Sequence, residues 1–115
     1  MTIQKLFDAD LDLLSESWHA HLRSRNFARS TVANYLASVR LLDEFLASKG
    51  MPRAVAHITR EHIEMFIADI LDRRSPATAA ARYVSLKQFW AWLLATGDGR
   101  VGRKFTPKLK KPVAS

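Results

Sequence analysis

A long amphipathic helix between residues 73 and 97 constrains the fold of this chain more than any other stretch. Ser75 is a suitable N-cap, and Pro76 suits the first helical position, where its missing N–H costs no hydrogen bond. Apolar side chains then recur at steps of three and four, which is typical of one buried helix face. That face consists of Tyr83, Leu86, Trp90, Leu93 and Leu94. Gly97 is predicted to end the helix in the left-handed conformation.

A different face of the same helix is small, polar and basic. Thr78, Arg82 and Ser85 recur at i, i+4 and i+7, and residues 73–97 contain four basic residues and no acid. A helix that is apolar on one side and positive on the outside is suited to a DNA groove. Phe89 and Trp92 lie off the apolar stripe. They form either a second side of the core or an exposed patch for a partner.

Three further amphipathic helices are predicted before this one. The first covers residues 8–25. The second runs from an N-cap at Ser30 to about residue 49, with Thr31, Asn34 and Ser38 opposite its apolar face. The third runs from an N-cap at Thr59 to about residue 73. Their predicted core residues are Leu11, Leu14, Trp18 and Leu22; Val32, Tyr35, Leu36, Val39, Leu42, Phe45 and Leu46; and Ile63, Phe66, Ile67 and Ile70. Val55 and Ile58, in the loop after Pro52, are expected to reach the same core.

No stretch shows the alternation of a strand, so the predicted fold is an all-α compact bundle of four helices. The chain has 115 residues, which corresponds to one modest core, and no cysteine, which excludes disulfides and thiolate metal sites. No two histidines have the i, i+4 spacing of a helical metal site, and no catalytic motif or cofactor loop is found. The chain has neither a secretory signal nor an apolar run of ~20 residues, so an intracellular, soluble protein without membrane contact is expected.

The basic residues are segregated along the chain. The net charge is +7, and residues 98–115 contain six bases against Asp98 alone. Residues 17–42 contain four arginines and no acid. The expected organisation is a helical domain over 1–97 and an extended basic linker over 98–115. Two acid-free basic segments can fold into a single positive face, which attracts phosphates and releases counterions.

Four stretches in order carry a family resemblance: RNFARST at 25–31 with Tyr35 and Phe45, ITREHIEMFI at 58–67, SPATAAARYVSLKQFWAWL at 75–93, and PKLKKP at 107–112. Together they resemble the N-terminal core-binding domain of tyrosine recombinases, the phage-integrase and Xer-like family. The resemblance implies a SAM-like four-helix domain whose second and fourth helices cross the major groove. The implied DNA-binding residues are Arg25, Arg29, Ser30, Thr31, Asn34, Ser38, Arg73, Arg74, Ser75, Thr78, Arg82, Ser85, Lys87, Lys108, Lys110 and Lys111.

The family's catalytic residues belong to a separate C-terminal domain, and none can be mapped onto this chain. The resemblance therefore implies a non-catalytic domain without cofactor or metal, located at the nucleoid. Its partners would be double-stranded DNA, the missing catalytic domain and other recombinase protomers. Two alternatives remain open from the residues. One is a protein-interaction module that uses Phe89 and Trp92, and the other is a free-standing helix-turn-helix regulator.

Overall fold

The computed structural model describes residues 10–96, and within them four α-helices confirm the predicted all-α class. The helices are α1 (Leu11–Ser24), α2 (Arg29–Ser48), α3 (Arg60–Arg73) and α4 (Pro76–Thr96), with a short 3₁₀ turn at Val55–His57 before α3. No strand occurs in this part of the chain, and an isolated antiparallel bridge joins Asp10 to Ala54. Gly97 and the predicted basic linker at 98–115, with Lys108, Lys110 and Lys111, lie outside the described residues.

Short connections arrange the helices as two hairpins. Residues 25–28 join α1 to α2, and Arg74 and Ser75 join α3 to α4. The α4 helix packs against both α2 and α3, so it holds the two hairpins together. The longer connection between α2 and α3 places Val55 and Ile58 in the core, as predicted.

Helices α1 and α2 end with the same two-bond cap, which explains where the chain reverses. After α1, Asn26 adopts a φ of 60°, its N–H donates to the Arg23 carbonyl, and the Phe27 N–H donates to the Leu22 carbonyl. After α2, Gly50 adopts a φ of 67° and takes the place of Asn26 in an equivalent pair of bonds. Each pair satisfies carbonyls that have no partner inside the helix.

Gly50→Ala is expected to lower the free energy of unfolding by about 1 kcal/mol, because a side chain disfavours the left-handed conformation. A Cβ at this position would meet nothing within 4 Å, so the expected loss is conformational and not steric. Urea unfolding measures the change. Asn26→Gly, at the matching position of α1, serves as the control and should not destabilise. Equal destabilisation by both changes would contradict this account.

Two of the three predicted N-caps are confirmed and one is wrong. The Thr59 side chain accepts from the His62 N–H, and the Thr59 N–H donates to His62 Nδ1 at 2.9 Å. Ser75 Oγ accepts from the Thr78 N–H at 3.2 Å. Ser30 is not a cap, because α2 already begins at Arg29 with Ala28 in the cap position and no side-chain bond there. The capped turn after α1 leaves only Ala28 before α2, so the helix starts earlier than the serine.

The centre of the core is a cluster of aromatic rings around Trp18 of α1. Trp18 is 1% exposed and stacks on Tyr35 with ring centroids 5.4 Å apart. Phe89 packs edge-on against it at 5.2 Å, and Trp92 lies at 6.4 Å. Phe89 is fully buried and Trp92 is half-buried, so these two rings form a second side of the core. The exposed docking patch that the interaction-module alternative required is absent at this position.

Candidate nucleic-acid interface

The polar faces of α2 and α4 meet along a seam. Arg82 Nη1 donates to Ser38 Oγ at 3.0 Å, and Ser38 Oγ donates in turn to the Asn34 carbonyl at 3.0 Å. On α4, Ser85 Oγ donates to the Ala81 carbonyl at 3.0 Å. These small hydroxyl side chains let the two helices approach closely while every buried hydroxyl keeps a partner.

This seam corrects part of the predicted DNA-contacting set. The predicted outward face of α4 instead turns toward α2, so Ser38 and Ser85 are buried and cannot touch a duplex directly. Thr78 and Arg82 remain partly exposed at the edge of the seam. The reason is that the fourth helix packs on α2 and α3 and also contacts Trp18 of α1, so more of its surface is buried than the predicted apolar face.

Arg82 keeps an uncompensated charge in this position. Its guanidinium is held by Ser38, and no carboxylate of the described residues lies within ion-pair distance. One nitrogen is used by the serine, so other donors of the five N–H groups remain available. A guanidinium that is fixed but not neutralised is suited to a phosphate or to a base edge.

A groove of about 770 Å³ opens beside Arg82, between α2, α3 and the start of α4. The floor is apolar, and the rim brings together four of the predicted residues on α3, α4 and their connection. The lining consists of Leu41, Glu44, Phe45, Ser48, Lys49, Phe66, Asp69, Ile70, Arg73, Arg74, Thr78 and Arg82. The groove thus brings together predicted cations from the end of α3, Arg73 and Arg74, and from the second turn of α4, Arg82.

The cations on this rim differ in how far they are neutralised. Arg73 forms an ion pair with Asp69 at 2.6 Å, one turn earlier on α3. Arg74 has no such partner among the described residues and lies two residues before α4 begins, where the helix dipole also favours an anion. Lys49, which the sequence reasoning missed, lies 5.9 Å from the centroid of the Phe45 ring. The sequence signal that could have indicated this contact is the i, i+4 spacing of Phe45 and Lys49 at the end of α2.

In the folded chain, acidic side chains lie beside some of the arginines in the acid-free basic segments. Asp69 neutralises Arg73, and Glu44 lies 3.9 Å from Arg40. Arg53 also binds Asp43 through two hydrogen bonds of 2.8 Å, and this carboxylate raises the pKa of Arg53 above its ordinary value. Of the two acid-free segments, the one at 73–97 therefore loses the free charge of Arg73, whereas Arg40 in the other has only a long contact with Glu44. Arg53 lies outside both segments.

The remaining predicted residues do not all share the side of Arg82. Asn34 and Ser30 are exposed and Thr31 is partly exposed. Arg29 and Ser38 are about two and a half turns apart, which places Arg29 on the opposite side of α2. Arg25 is exposed in the connection before α2. Lys87 is exposed as well, but it lies about 140° around α4 from Arg82. The single positive face predicted from the sequence is therefore divided into separate groups.

Residues 10–96 contain neither a membrane-spanning helix nor a cluster of metal ligands. None of their helices combines the length and apolarity needed to cross a membrane. In the same residues, no three histidine, aspartate or glutamate side chains gather as a metal site would require.

Comparison with known proteins identifies a family and a relative. Residues 14–97 match the family described as phage integrase, N-terminal SAM-like domain. The chain is also 30% identical over 99 residues to the tyrosine recombinase XerC of Roseiflexus castenholzii (strain DSM 13941 / HLO8). This alignment covers 84% of the chain and 31% of that relative, so the chain spans about a third of the curated relative's length. No solved structure matches.

The family match extends from within α1 to the end of α4. It also covers the Arg82–Ser38 seam and the groove beside it. The chain therefore belongs to the N-terminal SAM-like domain family of phage integrases.

Proposed function

We propose that this chain is the non-catalytic DNA-binding domain of a site-specific tyrosine recombinase, and that it grips duplex DNA along the α2–α4 seam. The observation that carries the proposal is Arg82, which is held by Ser38 in the seam and has no carboxylate partner in the described part of the chain. Family membership supports the class of protein, since the matched relative is a tyrosine recombinase.

The proposed roles follow from exposure and charge. Arg74 and the start of α4 bind a phosphate, with Ser75 and Thr78 beside it, and Lys49 contributes a further positive charge at the groove rim. Asn34 and Thr31 on the α2 side of the seam are the residues proposed to reach base edges or sugars. Ser38 acts indirectly, by fixing the direction of the Arg82 guanidinium. Arg25 and the lysines at 108, 110 and 111 remain proposed phosphate contacts.

The partners of the whole recombinase are part of the same proposal. A helical domain that only grips DNA needs a separate catalytic domain to cut it, and site-specific recombination requires several protomers on DNA. Because the proposed partner is duplex DNA, the proposed location of the recombinase is the nucleoid. The free-standing regulator is the less favoured alternative, because residues 14–97 match an integrase domain.

The proposal predicts salt-dependent binding to duplex DNA. If Arg74, Arg82 and Lys49 each neutralise one phosphate, the logarithm of the association constant should fall with log salt with a slope of about −2.7 or steeper. This slope corresponds to a loss of affinity of about 40-fold between 50 and 200 mM salt. Fluorescence anisotropy with a labelled duplex at four salt concentrations measures the slope. Single-stranded DNA of equal length is the comparison, and a shallower slope is expected there. Absence of duplex binding at 50 mM salt, or a slope near zero, would overturn the proposal.

A further inference from the structure

The outer side of α3 is acidic, partly apolar and not used by the proposed DNA interface. Its residues recur along the helix at i, i+3, i+4, i+7, i+10 and i+11, so they share one side, opposite the buried Ile63 and Ile70. This surface, called here the acidic face, consists of six exposed residues: Glu61, Glu64, Met65, Ala68, Leu71 and Asp72.

The charges of the acidic face are not neutralised by the part of the chain that the structure describes. Glu61 and Asp72 have no ion pair there, and Glu64 has only a long contact of 3.8 Å with Arg60. Between these carboxylates, Met65 is 49% exposed and Leu71 is 39% exposed. A segment in which basic and apolar side chains alternate would match both properties of this surface.

The basic linker that follows α4 has this composition. Residues 98–115 contain six bases against Asp98 alone. Val101, Phe105 and Leu109 recur every four residues among these bases. The bases are Arg100, Arg103, Lys104, Lys108, Lys110 and Lys111.

The basic linker begins within reach of the acidic face. Helices α3 and α4 are joined by two residues and pack on each other, so they run in opposite directions. With 14 residues in α3 and 21 in α4, Thr96 lies about 10 Å beyond the start of α3. Residues 97–103 can span up to about 24 Å, which is enough to return to Glu61. Asp72 lies about 16 Å further along α3, within reach of the lysines at 108, 110 and 111.

We propose that the basic linker covers the acidic face of the same molecule when no DNA is bound. Charge complementarity selects this occupant, and the apolar side chains of the linker would cover Met65 and Leu71. The covalent connection favours the same molecule over a second copy, because a short connection corresponds to an effective concentration on the order of millimolar.

Duplex DNA competes with the acidic face for the same bases, since the lysines at 108, 110 and 111 are also proposed phosphate contacts. This competition rests on the proposed function, whereas the docking itself needs no DNA. Bound DNA therefore exposes the acidic face, and DNA must displace the linker before these lysines can contact a phosphate.

Zero-length carbodiimide coupling of the full chain without DNA tests the docking, because it joins a lysine amine to a carboxylate that it contacts. Mass spectrometry of the monomeric product should find the linker lysines joined to Glu61, Glu64 or Asp72, and few joined to the exposed Asp12 and Glu16 of α1. The coupling should weaken as salt rises, because screening weakens charge pairs. Equal coupling to both sets of acids, or coupling to the acidic face only in a dimeric product, would overturn the proposal.

Matched neutral variants test whether charge holds the linker. Glu61→Gln with Asp72→Asn removes two charges of the acidic face, and Asp12→Asn with Glu16→Gln removes two from α1. Asp12 and Glu61 both occupy the second position of their helices, so the helix-dipole effects are alike.

Coupling to the remaining Glu64 is compared at the salt concentration that halves the coupling of the unmodified chain. The first variant should lower it by about twofold or more, because two exposed charge pairs are lost, and the control variant should leave it unchanged. Circular dichroism checks that both variants keep their helices. Equal coupling to Glu64 in the two variants would contradict the docking.

Addition of duplex DNA to the coupling reaction tests the competition. Coupling to the acidic face should fall as anisotropy shows that the duplex is bound. Unchanged coupling at saturating duplex would overturn the competition. A chain that couples normally but binds no duplex would overturn the proposed function, and the docking would stand on the coupling measured without DNA.

Discussion

Trp18→Ala is expected to lower the free energy of unfolding by about 3–5 kcal/mol, a large part of the 5–15 kcal/mol typical of a small domain. Trp18 is 1% exposed and contacts the rings of Tyr35, Phe89 and Trp92, which belong to α2 and α4. Removing the indole therefore leaves a cavity where three helices meet. Aromatic pairs also contribute about 0.5–1.5 kcal/mol each beyond the area they bury, and three pairs are lost.

Urea unfolding followed by circular dichroism measures this loss. Leu13→Ala is the matched control on the same helix, because Leu13 is 50% exposed and its removal creates no cavity. The control should change the free energy of unfolding by no more than about 0.5 kcal/mol. If Trp18→Ala and Leu13→Ala had similar effects, the aromatic cluster would not be the centre of the core.

Arg82→Glu is expected to abolish binding to duplex DNA while leaving the helix content intact. The change removes the fixed guanidinium and places a negative charge at the edge of the α2–α4 seam. The milder change Arg74→Glu acts on an exposed side chain, so it should reduce the magnitude of the slope of log K against log salt by about 0.9 with little effect on stability. Anisotropy titrations with the duplex measure both effects.

Two controls separate the loss of a DNA contact from the loss of the seam. Arg40→Glu produces the same change in net charge on an exposed part of α2 about 160° around the helix from Ser38, and it should bind DNA nearly as the unmodified chain does. Arg82→Gln removes the charge but keeps an N–H donor for Ser38, so it should keep stability and still weaken binding. Unchanged DNA binding by Arg82→Glu would remove this residue from the interface.

Most of the fold could be predicted from the sequence because its signals are local. Leu11, Leu14, Trp18 and Leu22 recur at helical spacing, and all four are buried in α1 as predicted. The caps at Thr59 and Ser75 depend on residues three positions later, so they too could be read from neighbouring residues. The cap at Ser30 failed because the end of α1 decides where α2 begins.

The candidate site was less predictable, because it depends on which helix faces which. Thr78, Arg82 and Ser85 share one face of α4 in the sequence pattern, but the pattern does not say whether that face meets water or another helix. Packing against α2 buries Ser85 and Ser38 and leaves Arg82 at the edge. Lys49 was missed for the same reason, since only the folded chain brings it to the groove with Arg74 and Arg82.

The sequence alone determined four amphipathic helices, most of their core residues and the family, since periodicity, capping and motif order depend on residues close together in the chain. Leu94, predicted to be in the core, is only partly buried, and Phe89, which lies off the predicted stripe, is fully buried. The tertiary structure decided which charges remain free. Asp69 and Asp43 neutralise Arg73 and Arg53, whereas Arg82 and Arg74 have no carboxylate partner among the described residues. Charges act through distance in space, and the packing of the helices sets that distance.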